Sequence, residues 1–310
     1  MLSVIIPTHN PDAGRLRRAL AGLQAQTLAA DQWETVLVDN ASSPPVDAAT
    51  LGGGAPLRLR VVREEQLGLT AARRRGFREA RGEFCVLVDD DNVLARDYLA
   101  HTVRLFQAHP RLGALGGRSR PEFEIEPAAW MREFFPLLAL RDPGDAPKIF
   151  ANPRPFGAGG GAYPAEAAPI GAGMAIRHEA ASQWADESPS PELSDRRGAT
   201  LSSAGDNDIV FTVLKHGWDV AYFPELVLTH LIPAGRLTVD YLARLNRGIQ
   251  KSWMQVLRRY GANPWPPIAR WTVPLRQGKA WFTHRAWSGP AERVRWQGAC
   301  GHFEGRVKPS

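Results

Sequence analysis

The sequence predicts an α/β fold: a mostly parallel central sheet flanked by helices, with a C-terminal helical, basic and Trp-rich appendage. Three observations predict it. Strand-like and helix-like stretches alternate from Leu2 to Leu115, the pattern of βαβ units around a parallel sheet. Phe84-Cys85-Val86-Leu87-Val88 is a short, nearly unbroken apolar run, as in a strand buried on both faces. From residue 236 onward there are 14 Lys and Arg against 3 Asp and Glu, together with six of the ten Trp. That last quarter therefore carries a net charge of +11 and the rest of the chain −5, which together give the net +6.

The elements follow in order. Leu2 to Ile6 reads as a first strand ended by Pro7. Asp12 is placed to cap a helix in which Leu16, Leu20 and Leu23 recur at helical spacing. Trp33 to Val38 is a second strand and Leu57 to Val62 a third. Gly68 to Ala80 reads as a helix carrying Arg73, Arg74 and Arg75. Successive residues on a helix point about 100° apart, so only some of these arginines face inward; Arg74 and Arg75 are expected on a solvated face. Phe84 to Asp89 is the fourth strand, Tyr98 to Phe106 a helix and Leu112 to Leu115 a fifth strand. The stretch from Arg120 to Ala168, with Gly159-Gly160-Gly161, has no period and is expected to be irregular and to cover substrate. A glycine-led strand resumes at Gly171 to Ile176, and Asp186 to Ser203 reads as a loop. Asp206 to His216 is a helix that starts in acid and stops at Gly217. Short strands are expected over Val220 to Phe223 and Leu226 to Thr229. From Thr238, the positions Leu242, Leu245, Ile249, Trp253 and Val256 mark a long amphipathic helix. No period is visible after Gly261.

Composition sets bounds. With 44% hydrophobic and 23% charged residues, the chain reads as an ordinary soluble globular protein. It has no apolar run long enough for a transmembrane helix, and the first strand begins too early for a signal peptide to be expected. Cys85 and Cys300 make neither a disulfide framework nor a zinc motif, so a reducing, cytoplasmic setting is expected. The basic tail reads either as a packed appendage or as a surface for an anionic membrane, with Arg for lipid phosphates and Trp for the interface. No nucleic-acid motif surrounds its charge, so nucleic acid is not expected as a partner.

The chemistry is expected around Asp89-Asp90-Asp91, directly after the fourth strand. Clustered carboxylates are costly unless a cation neutralises them. At the carboxyl end of a parallel strand they face the ligand crevice, and all-oxygen ligands favour Mg²⁺ or Mn²⁺. A solvated acidic turn is the alternative reading. Asp39 ends the second strand, where an acid is placed to bind a ribose or simply to make a turn. The first βα turn, Thr8 to Gly14, lacks G-x-G-x-x-G, which argues against a nicotinamide or flavin enzyme. Arg73 is placed to reach a phosphate or the carboxylates. Asp206 is a candidate general base, Asp208 a cap or a site residue, and His230 either structural or an extra metal ligand.

Together these segments resemble family 2 glycosyltransferases. Ser3 to Asn10 is similar to the family's opening strand, Val38 to Ser42 to its uridine-contacting segment, and Gly68-Leu69-x-x-Ala72-Arg73-x-x-Gly76 to its G-L-x-x-A-R-N-x-G. Asp89-Asp90-Asp91 resembles its D-x-D, Gly171 to Ala175 its acceptor-side glycine segment, and Gly205-Asp206-Asn207-Asp208 its E-D-x-D/E. Arg74 stands where the family often has Asn, and Gly205 where it usually has Glu. The resemblance implies a GT-A type fold and inverting transfer of a sugar from a nucleotide-diphosphate sugar, a UDP-sugar by family weight, to a sugar or lipid-linked saccharide. It implies donor binding by Pro7, Thr8, Asn10, Asp39, Arg73, Asp89 and Asp90. Metal binding falls to Asp91 and His230, the base to Asp206, and the acceptor side to Gly171, Gly173 and Asp208. Residues 1–235 would form the catalytic domain and 236–310 the extension. The place implied is bacterial envelope or exopolysaccharide assembly, in the cytoplasm or peripheral to the inner membrane face. A nucleotidyltransferase and a non-catalytic nucleotide-sugar-binding module are the rival readings.

Overall fold

The computed structural model describes residues 1–51, 58–152, 163–187 and 204–308. Leu57, Gly159 to Gly161 and the loop expected beyond Glu187 lie outside the described residues. Strands β1 (Leu2–Thr8), β2 (Trp33–Asn40), β3 (Leu59–Glu64) and β4 (Phe84–Leu87) alternate with helices α1 (Ala13–Gln24) and α2 (Leu69–Glu79). Asp12 caps α1 by accepting from the Arg15 amide at 2.9 Å. Next come β5 (Asn92–Leu94), α3 (Tyr98–Ala108), β6 (Leu112–Phe123), a 3-10 helix (Ala129–Leu138) and β7 (Lys148–Phe150). The chain continues through β8 (Ala175–Arg177), α4 (His178–Asp186), α5 (Gly205–Lys215) and β9 (Asp219–Ile232) to α6 (Val239–Arg259), α7 (Val273–Thr283) and α8 (Pro290–Gly305).

Among the described residues nine strands form one sheet in the order β3-β2-β1-β4-β8-β6-β9-β5, with β7 also on β9. The half containing β3, β2, β1 and β4 is parallel, as the strand–helix alternation requires. In the other half β6 and β9 also pair in parallel, so the sheet is mostly parallel as expected; three short strands add antiparallel pairs, β8 with both β4 and β6, and β5 and β7 with β9. These three antiparallel strands have three residues each, too few for any period to show in sequence.

Other expectations are revised in the same region. β6 runs on to Phe123, and a 3-10 helix follows where irregular chain was expected. The two short strands expected near Phe223 are one strand, β9. Its pairing with β6 shifts register between Gly116 and Arg118, opposite the stretch that holds Pro224. A bulge there lets a residue without an amide proton sit inside a long strand. Pro7 is likewise inside β1, not at its end.

The sheet is covered on both faces. Alternate side chains Leu2, Val4 and Ile6 of β1 pack with Leu16 and Leu20 of α1 and Leu99 and Phe106 of α3. Ile5 and Val36 point the other way, into a cluster with Phe77 of α2, Trp184 of α4, Phe211 of α5 and Met254, Val256 and Leu257 of α6. Phe84, Val86 and Val88 belong to the first cluster and Cys85 and Leu87 to the second, which is burial on both faces as the apolar run predicts. A third cluster joins Phe134 and Leu138 of the 3-10 helix to Leu242 and Leu245 of α6 and Val294 of α8. Among the described residues no helix is long and apolar enough to cross a membrane.

Candidate active site

A cavity of about 310 Å³ opens at the carboxyl ends of β1 and β4, where open α/β sheets bind ligands. Its lining includes Pro7 and Thr8 from β1, Arg73 from α2, Asp89, Asp90 and Asp91 after β4, Gly171, Asp206 from α5 and His230 from β9. The chain adds His9, Asn40, Leu137 to Ala139, Arg236 and Tyr241, which sequence reading did not single out. Arg236 lies six residues past His230, at the point where composition turns basic. In sequence its charge is indistinguishable from that of the basic tail.

The three carboxylates are treated differently. Asp89 lies 3.9 Å from the Arg73 guanidinium. Asp90 accepts from the Thr8 hydroxyl. Withdrawal from water, with Asp91 and then Asp89 beside it, outweighs that bond and pushes the Asp90 carboxyl up to about 6. Asp91 is buried and meets Arg236 at 2.9 Å and His230 Nε2 at 3.4 Å. Arg236 also lies 3.2 Å from His230 Nε2. Burial alone would weaken the charge of Arg236, but Asp91, Tyr241, Asp89 and Asp90 together raise its pKa.

Asp206 sits in the first turn of α5, where free amides and the helix dipole favour a carboxylate. It accepts from the Gly171 amide at 3.2 Å and from the Asn207 amide at 2.9 Å. A side chain on Gly171 would come within 2.5 Å of Arg73, so glycine there allows Arg73 to pass beneath the loop. At Gly173 a φ of +74° reverses the chain into β8, and its carbonyl accepts from the Tyr98 hydroxyl at 2.5 Å.

Four of the expected site residues do not line this cavity. Gly173 is packed beneath it, against Tyr98 and Leu228. Asn10 is exposed, in the left-handed region at φ 47°, and bridges to Ser42 and Ser43. Asp39 is buried beside the site and accepts from the Ser42 and Val46 amides and from Arg63. Burial alone would raise its carboxyl; those donors outweigh it and hold the group below its ordinary value. Asp208 is buried on the far side of α5. It accepts from the Trp184 indole at 2.8 Å and the Tyr260 hydroxyl at 2.9 Å. Arg74 departs from the expected solvated face: it is buried, lies 4.7 Å from the Trp184 ring and donates to the carbonyls of Ala185 and Glu187. A long stem and five donors let arginine satisfy the end of α4 from inside.

No three His, Cys, Asp or Glu side chains converge as a complete metal set among the described residues. Asp91 and His230 nevertheless suit a hard divalent ion whose other positions come from substrate oxygens and water. Nδ1 of His230 is buried without a hydrogen-bond partner, so the ring is not fixed by a second bond.

The sheet order, the covered faces and an acid-lined cavity at the switch point define a GT-A type fold. Residues 3–181, more than half of the chain, match glycosyl transferase family 2. The chain belongs to that family, and its class is glycosyltransferase. It is similar to a solved mannosyltransferase from Pyrobaculum calidifontis in complex with GDP-Man and Mn²⁺, with a TM-score of 0.57, 20% identity and coverage of 96% of this chain and 73% of that one. It is 33% identical over 154 residues to a validoxylamine A glucosyltransferase of Streptomyces hygroscopicus subsp. limoneus, covering 47% of this chain and 34% of the relative. It is 32% identical over 117 residues to the succinoglycan biosynthesis protein ExoW of Rhizobium meliloti, covering 36% and 35%. This chain spans from about a tenth to about a third of the length of the curated relatives it matches.

Proposed function

We propose that this protein transfers a sugar from a nucleoside-diphosphate sugar, a UDP-sugar first, to an acceptor hydroxyl with inversion, assisted by Mg²⁺ or Mn²⁺. The observation that carries the reading is one cavity holding both Asp91 with His230 and the carboxylate of Asp206. Asp91 and His230 would hold the ion, which supplies Lewis-acid stabilisation of the leaving diphosphate. Asp206 takes the proton of the acceptor hydroxyl; the Gly171 and Asn207 amides orient it while leaving acceptor capacity for that proton. Arg73 and Arg236 bring fixed positive charge to the site. Arg236 occupies Asp91 until the donor arrives and then moves to the diphosphate. Thr8 and Asp90 position the donor.

Residues 1–235 carry donor and acceptor binding, and the extension from 236 contributes Arg236 and Tyr241. Asp39 shapes the nucleoside end by fixing the turn through Ser42 and Val46. An acceptor in envelope or exopolysaccharide assembly, a sugar or lipid-linked saccharide, fits the similarity to the succinoglycan biosynthesis protein. The mannosyltransferase was solved with a guanosine donor, so GDP is the competitor to UDP.

Thermal-shift titration with UDP, GDP and dTDP, each with and without Mn²⁺, tests the reading on wild type and Asp91→Ala. A metal-dependent rise for one nucleotide, lost in the variant, is expected. No shift with any nucleotide in folded protein would overturn the reading.

A further inference from the structure

The feature left over by the active site is the outer face of α7. Leu275 and Phe282 are 68% and 71% exposed, and Trp271, one turn before Leu275, is 74% exposed. The spacing of seven residues puts Leu275 and Phe282 on one side of α7, and Trp271 lies in the 3-10 turn that leads into it. Gly278 lies between them and faces open space. Trp287, 56% exposed, extends the patch through its ring contact with Phe282 at 5.9 Å. The opposite face of α7 is already committed. Ala280 is buried, Trp281 sets its ring edge-on to Trp296 at 4.7 Å, and the Trp296 indole donates to the Gln277 carbonyl at 3.0 Å. The helix is therefore held on α8 with its larger apolar side chains turned outward. A soluble surface rarely carries such a contiguous patch without an occupant.

Charge says what the occupant is. Residues 263–290 contain Arg270, Arg276, Lys279 and Arg285 and no Asp or Glu, and all four cations are exposed. A second copy of the same face would meet like charge, so self-association through it is disfavoured. Leu275 offers nothing to a nucleobase, which stacks on aromatic or guanidinium planes. Trp, Phe and Leu on one face, flanked by Arg and Lys with long apolar stems, is the pattern of a helix lying in the interface of an anionic bilayer. We propose that α7 and its flanks dock the protein on an anionic lipid surface, with Trp271, Leu275, Phe282 and Trp287 inserted at headgroup level and Arg270, Arg276, Lys279 and Arg285 on lipid phosphates.

The docked face adjoins the cavity. Ala286 and Trp287 share a shallow groove with Thr238, Val239 and Asp240 at the start of α6, and that stretch lies between Arg236 and Tyr241, both cavity-lining. A membrane-held acceptor would then be presented near the site. The docking inference does not rest on the sugar-transfer reading, and its test is separate.

The test is flotation of the full chain with vesicles of phosphatidylcholine alone and with about 30% phosphatidylglycerol added. Wild type floats with the anionic vesicles only, and added salt weakens the binding. Leu275→Ser/Phe282→Ser and, separately, Arg276→Glu/Lys279→Glu each lose about tenfold or more in vesicle affinity. Both keep the wild-type melting temperature and nucleotide response. Failure of wild type to bind the anionic vesicles, or variants that bind as well as wild type, overturns the proposal. So does tighter binding to single-stranded RNA than to vesicles, or a dimer in sedimentation that Phe282→Ser dissolves.

Discussion

Asp39 and Asp90 are both carboxylates at strand ends, yet the fold moves them in opposite directions. Asp90 is raised from 3.8 to about 6. Its neutral form is favoured in the fold, so its contribution to stability is fully present below pH 3.8 and is lost as pH rises through about 6. Asp90→Asn is therefore expected to stabilise the ligand-free protein at pH 7, by up to about 2 kcal/mol. The gain should vanish in acid, as read from chemical denaturation across pH. Asp39 is lowered from its ordinary 3.8. Its contribution is present above that value and disappears as pH falls through the folded-state value. Asp39→Asn should cost about 1–3 kcal/mol at pH 7, and the difference from wild type should close on acidification. Asp206→Asn should lower turnover by about 10²–10⁴-fold while leaving nucleotide binding in place; equal losses of both would remove Asp206 from the role of base. Arg236→Gln should tighten Mn²⁺ binding in the absence of nucleotide and weaken donor binding, measured by calorimetry. Unchanged Mn²⁺ affinity would mean that Arg236 does not compete for Asp91.

At the scale of elements, α5 shows how one helix separates chemistry from packing. Asp206 and Asp208 are two positions apart, hence about 200° around the axis. One meets the cavity, and the other ties α5 to Trp184 of α4 and Tyr260 after α6. Removing the Asp208 carboxylate leaves the Trp184 indole N–H without its acceptor in the interior and takes one of three partners from the Tyr260 hydroxyl. Asp208→Ala should cost about 2–4 kcal/mol with little change in nucleotide affinity, read from melting temperature and titration together. Both acids were legible from the motif, but which faced the cavity was not, because the sequence does not state the rotation of a helix about its axis. The inward turn of Arg74 is hidden for the same reason: its partners are carbonyls of Ala185 and Glu187, more than a hundred positions away. The C-terminal extension was legible as helical, but where α7 and α8 begin and end was not. Their stretch carries Pro, Gly and Trp without a clean apolar stripe, and α7 keeps large apolar residues outside, which erases the usual periodic signal.

At the scale of the molecule, the C-terminal helices are part of the core. Met254, Val256 and Leu257 of α6 share a cluster with β1 and β2, and α6 and α8 complete the cluster around the 3-10 helix. A chain cut after residue 235 would expose these surfaces and lose Arg236 and Tyr241. It should be protease-sensitive and unresponsive to nucleotide, whereas a soluble, nucleotide-binding fragment would establish 1–235 as an independent unit.

The sequence by itself determined the parallel half of the sheet, the buried strand before three carboxylates, the capped helix α1, the amphipathic helix α6, and the family. These depend on neighbours in the chain, through period, cap and turn chemistry. Only the tertiary structure decided the three short antiparallel strands, the inward turn of Arg74, the burial of Asp39 and Asp208 off the cavity, and the meeting of Arg236 with Asp91 and His230. Each of those joins residues through space across elements whose rotation and pairing are fixed by packing, and packing is not written in any local pattern.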